Sequence, residues 1–131
     1  MTFINNETEL ARVAEFMEGV CEALGLDMHV AMKLQLAIEE MVSNVIFYAY
    51  PAGITADISL TAESDGKELT IVLSDTGIPF DPTAKDDADT DTNPMDREQG
   101  GMGILIVRNI MNEVVYRRIG DINQLTMKKI L

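Results

Sequence analysis

The sequence predicts an α/β fold, a two-layer sandwich in which three helices pack on a mixed, largely antiparallel sheet. Three stretches carry apolar residues at helical spacing, and two others alternate between apolar and polar residues on either side of a turn containing Asp and Gly. The resulting order of helix, helix, hairpin, helix, hairpin is typical of two layers around one core. With 131 residues, 47% of them hydrophobic, residues 1–131 are expected to form a single domain without disulfides or structural metals.

Composition limits the classes of partner and compartment. The only cysteine, Cys21, lies on an apolar helix stripe, which predicts a buried structural thiol. The N-terminus lacks a signal-peptide pattern, and no apolar run reaches about 18 residues, so a cytoplasmic protein without a membrane partner is expected. The net charge of −12 repels nucleic acid and anionic lipid. An anionic small ligand would need local help from backbone N–H groups or a divalent cation.

The N-terminal third predicts a short strand and a first helix. Residues 3–4 are a candidate strand, and residues 7–24 carry apolar side chains at helical spacing. Gly25 is expected to end this helix, and Asp27 is expected to cap the next one. His29 has no cysteine or second histidine nearby in the sequence to complete a metal site, so it is interpreted as a surface residue.

The central helix carries a carboxylate and a carboxamide one turn apart. Within residues 33–50, KLQLAIEEMVSNVIFYAY, Glu40 and Asn44 share one side, and the main apolar stripe lies opposite. Glu39 lies about 100° around the helix from Glu40 and cannot share that side. The pair is either an ordinary exposed face or two convergent groups of a ligand site.

A hairpin follows, and its second strand ends at another carboxylate. Residues 54–63 alternate, the Asp-Gly pair at 65–66 predicts a two-residue turn, and residues 68–75 predict the antiparallel partner strand. In the loop DTGIPFDP that follows, Asp75 could accept a hydrogen bond from an exocyclic amine such as adenine N6, whereas guanine would present a carbonyl. Gly77 would let the backbone approach a base closely. The alternative is a plain turn.

The next segment is acidic and leads to a glycine-led helix. Residues 81–98 hold seven acids and two bases with almost no apolar residue, which indicates a loop that cannot bury itself. Such a loop is a lid or a linker, and we favour a lid over residues 81–100. Residues 100–103, GGMG, then open a helix whose N-terminal N–H groups could face an anion. This sequence matches neither a Walker A motif nor G-x-G-x-x-G.

The last part of the chain predicts a second hairpin. Residues 114–119 and 122–131 are the two strands, and Gly-Asp at 120–121 is the turn between them. Thr126 lies in the final strand.

Three stretches in this order resemble one ATP-binding family. E-x-x-x-N on a helix, D-x-G-x-P-F-D-P after a strand and G-G-x-G-I opening a helix resemble the GHKL (Bergerat) fold of gyrase, histidine kinases and mismatch-repair ATPases. The resemblance covers nearly the whole chain. The PFDP sequence, the small size and the RxxGGMG stretch from Arg97 to Gly103 are most similar to bacterial anti-sigma factor serine/threonine kinases.

The resemblance implies a role for individual residues. Glu40 would be the catalytic base, and Asn44 would be the ligand of a magnesium ion that accompanies ATP. Asp75 and Gly77 would contact adenine. The other implied nucleotide contacts are Arg97 at the γ-phosphate, Gly101, Met102 and Gly103 in the phosphate loop, and Thr126 near adenine through water.

The implied function is phosphorylation of a small antagonist, or anti-anti-sigma, protein together with sequestration of a sigma factor or similar regulator. Relatives often dimerise, so a homodimer is one expected state. Two alternatives remain: a nucleotide-dependent binding switch without phosphotransfer, and a histidine-kinase-like catalytic domain acting in trans. Incubation with labelled ATP and the antagonist would distinguish the kinase from the first alternative, which transfers no phosphate. An acid-labile phosphorylated product would indicate the second alternative. Tyr48-Ala49-Tyr50 replaces the His-Gly-Tyr of many relatives, which leaves the identity of the partner open.

Overall fold

The structure is a computed structural model that describes residues 1–84 and 101–131. Its helices are α1 (Leu10–Ala23), α2 (Met28–Tyr48) and α3 (Gly101–Ile110), and its strands are β1 (Thr2–Ile4), β2 (Asp57–Ser64), β3 (Glu68–Asp75), β4 (Glu113–Ile119) and β5 (Ile122–Ile130). Short 3₁₀ turns occupy Glu7–Glu9 and Pro82–Ala84. The predicted α/β fold and order of elements are confirmed. No helix in the described ranges is long and apolar enough to cross a membrane.

The strands form a five-stranded sheet in the order β1-β2-β3-β5-β4. Every pairing among these strands is antiparallel, so the described sheet is antiparallel throughout rather than mixed. Because β5 lies between β3 and β4, Asp75 at the end of β3 is paired with Asn123 near the start of β5. This pairing positions the site described below.

The helices begin and end where local side chains and glycine permit. The Asp27 side chain accepts a hydrogen bond of 2.9 Å from the Val30 N–H, which confirms the predicted N-cap of α2. Gly25 adopts a φ of 63° just after α1, and its N–H bonds to the Glu22 carbonyl at 3.0 Å. Glycine reaches this left-handed conformation without the steric cost that a Cβ brings, so α1 stops there.

The turn between β2 and β3 differs from the prediction. Ser64 pairs with Leu69, so the connection is longer than a two-residue turn. Asp65 Oδ1 accepts hydrogen bonds of 2.9 Å from the N–H groups of Lys67 and Glu68. These bonds lower the pKa of Asp65. The carboxylate therefore takes the place of a tighter backbone turn.

The core lies between one face of the sheet and the helices. Along β3 every second residue is buried, and Asp75 is the last residue of that inward set. Cys21 is also buried, as predicted, and burial raises the pKa of its thiol. The buried residues of α2 are Leu34, Ala37, Ile38, Met41, Val42 and Ile46.

Candidate functional site

A cavity of about 270 Å³ lies between α2 and the end of β3. Pockets for whole drug-sized ligands are typically about 300–1,000 Å³, so this cavity suits a ring system the size of a base. Its polar side chains include Asn44, Asp75 and Asn123. Apolar side chains in its lining include Met41, Val45, Leu73, Ile78 and Leu125.

Asp75 provides an acceptor inside this mostly apolar cavity. Only 6% of the residue is exposed. Its Oδ1 accepts hydrogen bonds from the Gly77 N–H at 2.8 Å and from Asn123 Nδ2 at 2.9 Å. No described group donates to its Oδ2. One carboxylate oxygen is thus held by the protein, and the other is left to accept a hydrogen bond from a ligand.

The loop after β3 packs tightly against the C-terminal end of α2. A Cβ at Gly77 would lie 2.4 Å from the Ala49 carbonyl oxygen and 2.6 Å from Ala49 Cβ, so no larger residue fits without movement of the backbone. The Ile78 N–H donates to the same Ala49 carbonyl at 2.9 Å, and the Thr76 N–H donates to the Tyr50 hydroxyl at 2.9 Å. Ala49 and Tyr50 therefore hold the loop that follows Asp75.

Asn123 is a buried polar residue of the site that the sequence analysis did not identify. Besides bonding to Asp75, its Nδ2 donates to the Ile78 carbonyl at 2.9 Å and the Gly77 carbonyl at 3.3 Å. The signal in the sequence was the alternation of β5, since Asn123 shares a parity with the buried residues Leu125 and Met127.

Thr126 occupies the opposite face of the same strand. Successive side chains of a strand point to opposite faces, and Asn123, Leu125 and Met127 are all buried on the helix-facing side. Thr126 falls between two of them and is paired with Val72. The structure therefore does not bring Thr126 to the cavity.

The start of α3 meets α2 at the polar pair found in the sequence. A Cβ at Gly103 would lie 3.1 Å from Glu40 Oε2 and 3.6 Å from Asn44 Nδ2. Asn44 Nδ2 is buried and has no hydrogen-bond partner among the described residues. The first N–H groups of an α-helix also lack intrahelical partners and attract anions. Carboxylate, amide and helix N-terminus thus converge at one point, while Asn44 also lines the cavity.

Other predicted site residues lie partly or wholly outside the described part of the chain. Gly101 and Met102 form the first turn of α3, and only their backbone is described. Arg97 lies outside the described residues. Of the lid predicted over 81–100, residues 81–84 are described and include the second 3₁₀ turn, and the rest of that prediction falls on residues that are not described.

Most of the chain matches a known protein family, and a large part of it matches a known protein. Residues 3–129 match a family model described as a histidine kinase-like ATPase domain. The serine/threonine-protein kinase BtrW of Bordetella bronchiseptica is 29% identical over 94 residues, which cover 72% of this chain and 66% of BtrW. The matched part is thus slightly less than two thirds of that relative's length.

Solved structures share the fold. The histidine kinase domain of a blue-light-activated histidine kinase from Erythrobacter litoralis EL346 matches with a TM-score of 0.61 at 17% identity, over 95% of this chain and 60% of that one. A chain of the SiaB-SiaC complex from Pseudomonas aeruginosa matches with a TM-score of 0.64 at 13% identity, over 100% of this chain and 88% of that one. At these identities the likeness concerns the fold alone.

Proposed function

We propose, from the premise that this chain belongs to the histidine kinase-like ATPase domain family, that it is an ATP-binding serine/threonine protein kinase of the anti-sigma factor type. The observation that carries the proposal is the convergence of Glu40, Asn44 and the start of α3. This point adjoins a cavity of suitable size for a base. Phosphoryl transfer depends mainly on positioning and electrostatic stabilisation, for which this arrangement provides the groups.

The cavity would hold the adenine ring. Apolar walls suit a flat heterocycle, and Asp75 Oδ2, to which no described group donates, would accept a hydrogen bond from the exocyclic amine. Guanine would place a carbonyl oxygen against that acceptor, which is unfavourable. The close packing at Gly77 keeps the loop beside the base position. ATP is therefore the proposed nucleotide.

The phosphates would lie at the start of α3, where the groups present fit a magnesium-bound phosphate chain. Asn44 Nδ2, which has no hydrogen-bond partner among the described residues, could donate to a phosphate oxygen. If the amide group is rotated by 180°, its oxygen could instead bind Mg²⁺. Mg²⁺ commonly takes only one or two protein ligands besides waters and phosphate oxygens. When bound, the ion would neutralise charge on the phosphates. Arg97 is proposed as a further contact to the γ-phosphate.

Glu40 would be the proton acceptor. A serine or threonine hydroxyl is a weak nucleophile, and a carboxylate within hydrogen-bond reach can orient it and accept its proton. Glu40 Oε2 adjoins the first turn of α3, so the carboxylate would meet a hydroxyl close to the transferred phosphoryl group. Glu39, its sequence neighbour, is exposed and lies on a different side of α2.

Exposed apolar residues on α2 support the proposal that the phosphoryl acceptor is a protein. Met32, Leu36 and Phe47 are exposed by 64%, 44% and 51%. Leu36 precedes Glu40 by one turn and Phe47 follows it by two, so these side chains lie along the same side of the helix. We assign this face to a small antagonist, or anti-anti-sigma, protein whose serine or threonine would reach Glu40. A sigma factor or similar regulator is the proposed second partner, and self-association as a homodimer remains part of the proposal.

A phosphotransfer assay tests the proposed chemistry. The protein would be incubated with labelled Mg-ATP and the antagonist captured from native lysate in the presence of ATP. Glu40→Gln is expected to keep ATP affinity within about a few-fold and to lose about 10²- to 10⁴-fold in transfer rate. Glu39→Gln makes the same chemical change on the exposed side and should keep the rate. Transfer by Glu40→Gln at nearly the unmutated rate would remove Glu40 from the base role.

The same assay separates the alternative functions. Tight ATP binding by an unmutated protein that transfers no phosphate would favour the nucleotide-dependent switch. An acid-labile product would favour the histidine-kinase-like alternative. For the docking face, Leu36→Asp should abolish antagonist phosphorylation while ATP affinity is retained. Ile130→Asp is the matched control, because Ile130 is an exposed apolar residue at the end of β5.

A further inference from the structure

We propose that Asn123 is a positioning residue that fixes the Asp75 carboxylate and thereby determines the preference for a base with an exocyclic amine. This inference rests on the proposed function, in which Asp75 receives adenine. Asn123 is 6% exposed and pairs directly with Asp75 across β3 and β5. Its amide nitrogen donates to Asp75 Oδ1 at 2.9 Å.

The orientation of the Asn123 amide is dictated by its neighbours. Its Oδ1 accepts hydrogen bonds from the Tyr116 hydroxyl at 2.5 Å and from Arg118 Nη1 at 3.1 Å. A guanidinium group has donors and no acceptor. The amide oxygen must therefore face Arg118, and the amide nitrogen must face Asp75. A flipped amide would place two donors against each other.

This orientation controls which oxygen of Asp75 a ligand can use. The Asn123 amide and the Gly77 N–H both donate to Oδ1, so a rotation of the carboxylate would weaken two hydrogen bonds at once. The carboxylate is thereby held with Oδ2 as the oxygen to which no described group donates. Removal of the Asn123 amide would leave Oδ1 with a single donor, and the carboxylate could then turn.

Asn123 also holds the loop that follows Asp75. Its nitrogen donates to the carbonyls of Gly77 and Ile78, and Arg118 Nη1 donates to the Gly77 carbonyl at 2.9 Å. One amide group thus links the carboxylate, the loop and two strands. Aspartate at this position would place a second carboxylate against Asp75 and against two carbonyl oxygens. A hydroxyl residue would be too short to reach all of these partners, so asparagine suits the position.

The test measures base discrimination and not only affinity. Calorimetry would compare Mg-ATP with Mg-purine riboside triphosphate, which lacks only the 6-amino group. The unmutated protein should prefer ATP by about 10- to 100-fold, the value of a hydrogen bond to a charged acceptor. In Asn123→Ala this ratio should fall to within about threefold of one, because the amine loses its positioned acceptor. A residue needed only for folding would weaken both ligands alike and leave the ratio unchanged.

The control is Asn112→Ala. Asn112 Oδ1 accepts a hydrogen bond of 2.8 Å from the Ile130 N–H. Like Asn123→Ala, this substitution removes an asparagine side chain that bonds to the sheet, but Asn112 lies away from the cavity. This variant should keep the full ATP preference. If Asn123→Ala does not fold, Tyr116→Phe replaces it, since it removes one of the two donors that orient the amide. The ratio should then fall by about two- to fivefold, less than the whole hydrogen bond is worth.

The outcomes distinguish the two proposals. If the unmutated protein prefers ATP and the Asn123→Ala or Tyr116→Phe variant keeps the same ratio of affinities, the positioning role of Asn123 is overturned. The adenine assignment then stays intact. An unmutated protein with no preference between the two nucleotides overturns the contact between Asp75 and the amine, and the inference about Asn123 with it.

Discussion

Gly77→Ala is expected to destabilise the protein and weaken ATP binding through a single steric contact. The added Cβ would lie 2.4 Å from the Ala49 carbonyl oxygen and 2.6 Å from Ala49 Cβ, whereas two carbon atoms in contact are normally about 3.5–4.0 Å apart. The loop or the end of α2 must therefore move by about 1 Å. Overpacking of this kind costs about 1–3 kcal/mol, and the Ile78 hydrogen bond to the same carbonyl adds about 1 kcal/mol if it breaks.

The expected loss in the free energy of unfolding is therefore about 2–4 kcal/mol, the sum of these two estimates. With a urea m-value of about 2 kcal/mol/M, the unfolding midpoint should fall by about 1–2 M. Calorimetry should show weaker binding of Mg-ATP, since the same movement displaces the Gly77 N–H that donates to Asp75.

Gly19→Ala is the matched control for this substitution. No atom lies within 4 Å of a Cβ built on Gly19, which sits in the middle of α1. Alanine in a helix interior should raise the unfolding free energy by about 0.5–1 kcal/mol. The same chemical change should thus give opposite signs at the two positions. A Gly77→Ala protein with an unchanged urea midpoint and unchanged ATP affinity would refute the steric argument.

Three further substitutions or conditions give distinct readouts. Gly103→Ala would place its Cβ 3.1 Å from the tip of Glu40, so the transfer rate should fall more than ATP affinity; an unchanged rate in the assay would contradict this. The Cys21 thiol, whose pKa is raised by burial, should react with a thiol reagent about as slowly as the protein unfolds and rapidly in urea; fast reaction of the native protein would contradict its burial. The Ile4 N–H and then Arg12 lower the pKa of Glu9, so its stabilising effect should be present above about pH 4.3 and be lost as the pH falls through the lower folded pKa. The urea midpoint of Glu9→Gln should accordingly equal that of the unmutated protein in acid and lie below it at neutral pH. A difference between the two midpoints that does not change with pH would contradict this prediction.

The elements that the sequence predicted well are those governed by local chemistry. The strand at residues 68–75 has the bounds that its alternation predicts. The second hairpin turns at 120–121 as predicted, because Ile119 pairs with Ile122 and Gly120 has a φ of 63°. Each of these features depends on side-chain period or backbone freedom within a few residues.

The features that the sequence analysis missed depend on strand register. Nothing local to β5 predicts that it inserts between β3 and β4, and a shift of one residue exchanges the two faces of a strand. Thr126, which the family resemblance suggested, and Asn123, which the pairing with β3 brings to Asp75, are three residues apart and therefore lie on opposite faces of β5. Likewise, Ser64 pairs with Leu69, and the residues between them are held by the Asp65 side chain, which accepts two backbone hydrogen bonds.

The central helix explains why base selection and chemistry should be separable by mutation. Around Glu40, α2 is anchored by Ala37 and Met41, which are 0% and 2% exposed, so the carboxylate is attached to a packed element. Sites on such elements hold their geometry better than sites on loops. In the proposed site, base selection would depend instead on the loop at Gly77, which contacts Ala49 and Asn123. Changes in that loop should therefore act mainly on nucleotide affinity, whereas changes at Glu40 should act mainly on the rate of transfer, because Glu40 lies in the packed middle of α2 and the loop touches only its C-terminal end.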